Sequence, residues 1–236
     1  GFGSDSVFAG SAVAEKYKYP LISGAASSNK LFDRGFKYYF STIGKATEEV
    51  RGCVDIIQSL SPKPRTGAII GSDILFTSLA AEGYKKYAAQ TGIEIILFEL
   101  FPITLQDYNS MLLKVKQKNP DALFVGSHLM VAMKTIKAMK EIDFTPKMVT
   151  FSYGPTVPDF VKNLGKDSEY VLAASEWAPN LPYKDPLFGT ARQFNEDYFK
   201  KYGRYPDYVE AASAAGAYAM QVAIEKLGIT PPVKEE

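Results

Sequence analysis

From Lys63 onward, short β-branched runs alternate with longer stretches of helical period, and this alternation restricts the fold more than any other feature of the chain. Helices placed between strands carry the chain back along the sheet, so the strands must run parallel. Thr66 to Gly71 reads as the first strand of this block. In the helix that follows, Phe76, Leu79, Ala80, Gly83, Tyr84, Tyr87 and Ala88 mark one face, and Gly92 ends it. Ile93 to Leu100 is the next strand. Tyr108, Met111, Leu112 and Val115 stripe a second helix, which Asn119-Pro120 stops before a strand at Asp121 to Gly126. Met133, Ile136 and Met139 mark a third helix before the strand Lys147 to Ser152. A short helix at Pro158 to Leu164 precedes a strand at Tyr170 to Ser175.

The flanks belong to another layer. A helix is expected from Asp5 to Tyr17, with strands at Pro20 to Ser23 and Tyr38 to Thr42. Two long helices are expected at Pro186 to Lys201 and Tyr208 to Leu227, the second closed by Gly228 and stopped by Pro231-Pro232. The expected fold class is α/β, with two doubly wound parallel-sheet lobes. Residues 1–44 and 178–236 form a discontinuous lobe and residues 45–177 a continuous one, with crossings near 44–45 and 176–179. Two strands make a poor sheet, so the head and tail of the chain need each other.

Composition removes several classes of function. Lys and Arg total 27 against 26 Asp and Glu, so no basic surplus drives nucleic-acid binding. One cysteine, Cys53, and one histidine, His128, cannot build a Cys/His zinc cage or an internal disulfide. Apolar runs such as Ile93 to Phe101 are too short, and too interrupted by Glu94 and Glu99, to cross a bilayer. The chain opens at Gly1 without a charged segment and an apolar h-region, and reads as mature, processed or excised.

Enzyme motifs are mostly missing. There is no G-x-S-x-G elbow and no phosphate-binding G-x-x-x-x-G-K-[ST] loop, and Gly1-Phe2-Gly3 lacks the third glycine of a dinucleotide fingerprint. No cofactor is expected. A relay would have to use His128, which follows the strand end Gly126-Ser127, and a histidine there equally suits a helix cap or a pocket wall. More informative are two small-residue turns, Ser23-Gly-Ala-Ala-Ser-Ser28 and Gly3-Ser4-Asp5-Ser6. Small side chains let backbone N–H groups approach a ligand, and a helix start favours an anion such as a carboxylate. Ser4 or Asp5 would be the N-cap of the first helix.

Ser23-Gly-Ala-Ala-Ser, Gly35-Phe-Lys-Tyr, Ile70-Gly-Ser-Asp, Asn119-Pro-Asp-Ala-Leu-Phe-Val-Gly, Ala174-Ser-Glu-Trp and Tyr205-Pro-Asp-Tyr fall in an order and spacing that resembles the branched-chain-amino-acid-type periplasmic solute-binding proteins. The resemblance covers nearly the whole chain, with elements missing before the first loop and after the last helix, and so implies that the discontinuous lobe is incomplete and its two-stranded sheet has an open edge. It implies a type I periplasmic binding protein fold whose two lobes close on a small carboxylate, amide or amino acid. It also implies no catalysis, an extracytoplasmic location in the periplasm or at the cell surface, and an ABC transporter permease as partner. By the same resemblance, Ser4 and the loop Ala25, Ala26 and Ser27 hold the ligand carboxylate. Phe76 or its neighbour Leu75, His128 and Tyr153 supply the opposite wall, and Trp177 lines the cleft or packs in the hinge.

The loop Ser152-Tyr-Gly-Pro-Thr departs from the family pattern, because it carries no acid where an α-amino-acid ammonium would sit. Either Asp73 or Glu176 supplies that charge from elsewhere, or the ligand lacks the amine. Two other functions are compatible with the same residues: a ligand-sensing receptor ectodomain of this fold, and an enzyme using His128 and Asp73.

Overall fold

The computed structural model describes residues 2–228 of the 236. The chain opens with α1 (Ser4–Tyr17), β1 (Leu21–Ser23), α2 (Asn29–Phe32) and β2 (Tyr39–Ser41). Two short helices, α3 (Ala46–Glu49) and α4 (Arg51–Asp55), and a 3-10 turn at Ile56–Ser59 lead into the alternating block. That block runs β3 (Thr66–Ser72), α5 (Leu75–Thr91), β4 (Glu94–Phe101), α6 (Tyr108–Lys118), β5 (Ala122–Gly126), α7 (Leu129–Glu141), β6 (Met148–Phe151), α8 (Pro158–Leu164) and β7 (Leu172–Ala173). The hairpin β8 (Lys184–Asp185) and β9 (Gly189–Thr190) precedes α9 (Ala191–Tyr202) and α10 (Tyr208–Leu227).

Two compact units result. One holds the residues up to Ala26, Arg34–Ile43 and those from Glu176 on; the other holds Ser27–Asp33 and Gly44–Ser175.

In the second unit, five parallel strands lie in the order β4-β3-β5-β6-β7. Alternation along each strand explains why helices cover both faces. Ala68 and Ile70 of β3, with Leu123 and Val125 of β5, pack against Leu112, Val131 and Ile136. Ile69, Ala122 and Phe124 face the other way, against Tyr84, Val50 and Val54. Every residue of β5 is buried, as a central strand requires. The Tyr84 and Phe124 rings meet at 5.2 Å and tie α5 to the middle of the sheet.

At the opposite end of the sheet, Asp121 holds the start of β3. Its carboxylate accepts from Arg65 N at 2.8 Å and Thr66 N at 3.3 Å and pairs with Lys147 Nζ at 2.6 Å. The hydrogen bond from Lys147, then that from the Arg65 amide, holds the Asp121 carboxyl down to about 2.

The first unit is smaller. β1 and β2 pair in parallel, and an isolated parallel bridge joins Phe2 to Ala25 on the strand line of β1. α10 crosses β1 closely: a Cβ on Gly24 would lie 2.7 Å from Ser213 N, so the first residue after β1 must be glycine. Arg34 clamps α1, donating to Phe8 O at 2.6 Å and Ser11 Oγ at 2.7 Å with its guanidinium over the Phe8 and Phe36 rings.

Several expectations need correction. No helix starts at Pro186: Asp185 Oδ1 accepts from Leu187 N and Phe188 N, and this side-chain-capped turn, with Gly189 at φ 72°, closes a hairpin instead. Thr190 then caps α9 by accepting from Gln193 N. The strand expected at Tyr170 to Ser175 shrinks to Leu172–Ala173, because Tyr170 turns into the left-handed region at φ 60° and stands 95% exposed. The N-cap of α1 is Gly3, at φ 84°, rather than Ser4 or Asp5. α2, α3 and α4 are additional, and the Pro231-Pro232 stop lies outside the described residues.

Asp121 yields a pH prediction. Its folded value lies below the ordinary carboxylate value, so its contribution is present above about pH 4 and is lost as pH falls toward 2. Urea titration of Asp121→Asn should show a loss of about 1–2 kcal/mol at pH 7 that shrinks steadily between pH 4 and pH 2. A loss independent of pH would contradict this role.

Candidate functional site

Strand order locates a candidate site in the second unit. In the second unit the chain winds one way from β3 to β4 and the other way from β3 to β5, so the loops after β3 and β5 diverge and leave a crevice at the carboxyl ends of the strands. Backbone groups there leave the ladder and need other partners, which short hydroxyls provide. Ser72 Oγ donates to Thr77 Oγ1 at 2.9 Å, and Thr77 Oγ1 donates to the Ser72 carbonyl. Ser152 Oγ accepts from Ser127 N at 2.9 Å and donates to Ser127 O at 3.2 Å, while Ser127 Oγ donates to Tyr153 O at 2.7 Å. Gly126 lies against the Thr77 carbonyl, with no room for a Cβ.

These locks fix three rings. The Phe76 and His128 centroids are 5.1 Å apart at 40°, and those of His128 and Tyr153 are 5.9 Å apart, edge to face. Phe76 and Tyr153 are buried and His128 is half-buried at the N-cap position of α7, where its side chain makes no capping bond. Leu75 begins α5 and is half-buried. Asp73, the acid considered beside His128, is exposed, and its backbone N–H donates to Phe101 O at 2.8 Å. Ser27 belongs to this unit; it is buried and its carbonyl accepts from Ala46 N at 2.6 Å. Ser152→Ala should cost about 1–3 kcal/mol in urea unfolding, because it leaves the buried Ser127 N–H without its acceptor. Wild-type stability for this variant would show that the lock between the β5 and β6 loops is dispensable.

In the first unit, Gly3 N donates to Ala25 O at 3.0 Å, which sets the start of α1 beside the end of β1. Ser4, Ala25 and Ala26 thus sit together, all buried, with the first-turn amides of α1 at the same edge. Thr42 Oγ1 lies one strand over. It donates to Ala212 O at 2.8 Å and approaches Ser23 O at 3.4 Å, joining β1, β2 and α10.

Beyond Thr42 lies a cavity of about 220 Å³ that sequence reasoning did not foresee. Trp177 is on its wall, edge to face with Phe194 at 5.7 Å, and Glu176, Tyr183, Asp185 and Tyr208 also line it. Tyr208 is placed by a capping box. Asp207 accepts from Val209 N at 2.7 Å, Glu210 accepts from Asp207 N at 2.9 Å, and Arg204 pairs with Glu210 at 2.7 Å. Burial, together with the facing Glu210 carboxyl, pushes Asp207 up to about 6. The local signal for Tyr208 was Asp207 followed three residues later by Glu210, a helix start that puts the intervening tyrosine in the first turn. Among the described residues, no group of three or more His, Cys, Asp or Glu side chains could hold a metal, and no helix is long and apolar enough to cross a membrane.

The family described as periplasmic binding protein matches residues 1–235. A Leu/Ile/Val-binding protein homolog 7 of Brucella abortus is 22% identical over 217 residues, covering 87% of this chain and 53% of that protein. An amino acid ABC transporter substrate-binding protein from Pseudomonas fluorescens superposes with a TM-score of 0.82 at 20% identity, covering 97% of this chain and 60% of that one. A leucine binding protein from Thermotoga maritima gives 0.79 at 18% identity, with coverages of 92% and 60%. The chain therefore spans about half to three-fifths of the length of these relatives, and it shares the fold of type I periplasmic binding proteins. With the family matched from end to end, this chain belongs to the periplasmic binding protein family.

Proposed function

We propose that the chain is the ligand-binding part of an extracytoplasmic solute-binding protein, which holds a small carboxylate, amide or amino-acid-like solute without transforming it and delivers it to an ABC transporter permease. Family membership supports the class, and the names of the relatives, one a leucine binding protein, support the ligand type. The observation that carries the chemistry is the junction of Gly3 with Ala25. It gathers the buried Ser4 hydroxyl, the Ala25-Ala26 backbone and the start of a 14-residue helix at one strand end. Such an arrangement suits a carboxylate, through N–H donors, a hydroxyl and the positive end of the helix dipole. Ser27 follows directly in sequence and carries a second buried hydroxyl.

In the second unit, Phe76, His128 and Tyr153 form a ring cluster against which an apolar group can pack. His128 packs between the Phe76 and Tyr153 rings, a placement that suits a wall residue in contact with a solute.

Thermal-shift screening with aliphatic and aromatic carboxylates should raise the melting temperature, since a ligand specific to the native state stabilises it. For any carboxylate that does so, Ser4→Ala combined with Ser27→Ala should weaken binding by about 1–3 kcal/mol, the loss expected for hydrogen bonds to a charged group. Unchanged affinity would place the carboxylate elsewhere.

A further inference from the structure

The cavity beside Trp177 has a chemistry opposite to that of the loop at Ala25. Among the residues that line it are two carboxylates, Glu176 and Asp185, and no Lys, Arg or His. Glu176 Oε2 is a buried atom of this wall. Asp185 Oδ1 is held by Leu187 N at 2.8 Å and Phe188 N at 2.7 Å, so its negative charge is fixed in place by the hairpin turn. Five aromatic side chains complete the lining: Trp177, Tyr183, Phe188, Phe194 and Tyr208. Trp177 and Phe188 both pack edge to face on Phe194, at 85° and 77°, which holds this part of the wall together.

Ring faces and carboxylates attract the same kind of guest. Both favour a cation and disfavour an anion, and their pull grows where the guest displaces water. A bare ammonium would need an acceptor for each of three N–H donors. An N-alkylated ammonium spreads its charge over apolar groups and needs ring faces and a counter-charge instead. A volume of about 220 Å³ has room for about seven groups the size of a water molecule, enough for a trimethylammonium head with a short stem. Thr42 lines this cavity and contacts Ser23, two residues before Ala25, so cavity and carboxylate loop stand at neighbouring strand ends of one sheet.

We propose that this cavity is a cation cage selecting solutes that carry an N-alkylated ammonium group, with Glu176 as counter-charge and Trp177 and Tyr208 as ring walls. The inference rests on the solute-binding function proposed above and narrows its ligand to a zwitterion.

Calorimetry on the whole chain with three probes tests it: glycine betaine, its carbon isostere 3,3-dimethylbutyrate, and tetramethylammonium. Betaine should bind at least about tenfold more tightly than the isostere, which differs only in carbon for nitrogen. Glu176→Gln should remove most of that preference while leaving the affinity for the isostere unchanged. Tyr208→Leu, checked for an unaltered unfolding transition, should reduce binding of betaine and tetramethylammonium together. Isostere binding equal to or tighter than betaine would overturn the cage and leave the carboxylate reading standing. Binding of tetramethylammonium with neither carboxylate would support the cage and count against the carboxylate loop. Binding of none of the three would overturn the cage, while the carboxylate screen above judges the broader function separately.

Discussion

Parallel strands end where their backbone groups lose ladder partners, and the way those ends are satisfied decides what the neighbouring side chains can do. In the second unit, serine and threonine hydroxyls perform this task. Ser72 with Thr77 closes the loop after β3, and Ser127 with Ser152 cross-links the loops after β5 and β6. Because these groups are short, the following residues can approach closely, and Phe76, His128 and Tyr153 form a continuous ring surface. Polar satisfaction and aromatic display are thus two results of one packing arrangement. The first unit solves the problem differently: a glycine turn feeds an amide into Ala25 O, and the helix behind it aims its first turn at the same place.

What the sequence disclosed follows from the range of the interactions involved. β3, β4 and β5 were legible because apolar β-branched runs bounded by Gly and Asn-Pro have few alternatives at that length. Gly92 and Asn119 were readable as stops, and both take the left-handed conformation that ends a helix. α3 and α4 were not legible, since helices of four or five residues carry no period and are held by packing against α5. At Pro186 an apparent amphipathic pattern lost to the Asp185 turn, a local side-chain bond that outcompetes helix formation.

The Ala25 loop and the cavity differ in the same way. Ser4 and Ala25 to Ser27 lie in two short segments whose small residues and position after strands could be read directly. The cavity of the first unit gathers the end of β2, the Glu176-Trp177 crossing, the hairpin turn and the first turns of α9 and α10. No spacing rule spans segments so far apart in sequence. Glu176 and Trp177 stand out in the sequence singly, but Tyr183, Asp185, Phe188, Phe194 and Tyr208 join them only through the fold. Glu176, considered from the sequence as a possible counter-charge, lies in the wall of this cavity.

Amide mapping by nuclear magnetic resonance, with an aliphatic or aromatic carboxylate titrated into the isotope-labelled chain, tests most directly whether a solute's negative end sits at the Ala25 loop. Carboxylate capture there predicts that the largest shifts fall on the amides of Ser4, Ala25, Ala26 and Ser27 and saturate together with one dissociation constant. Saturable shifts confined to other segments, with these four amides unmoved, would contradict it.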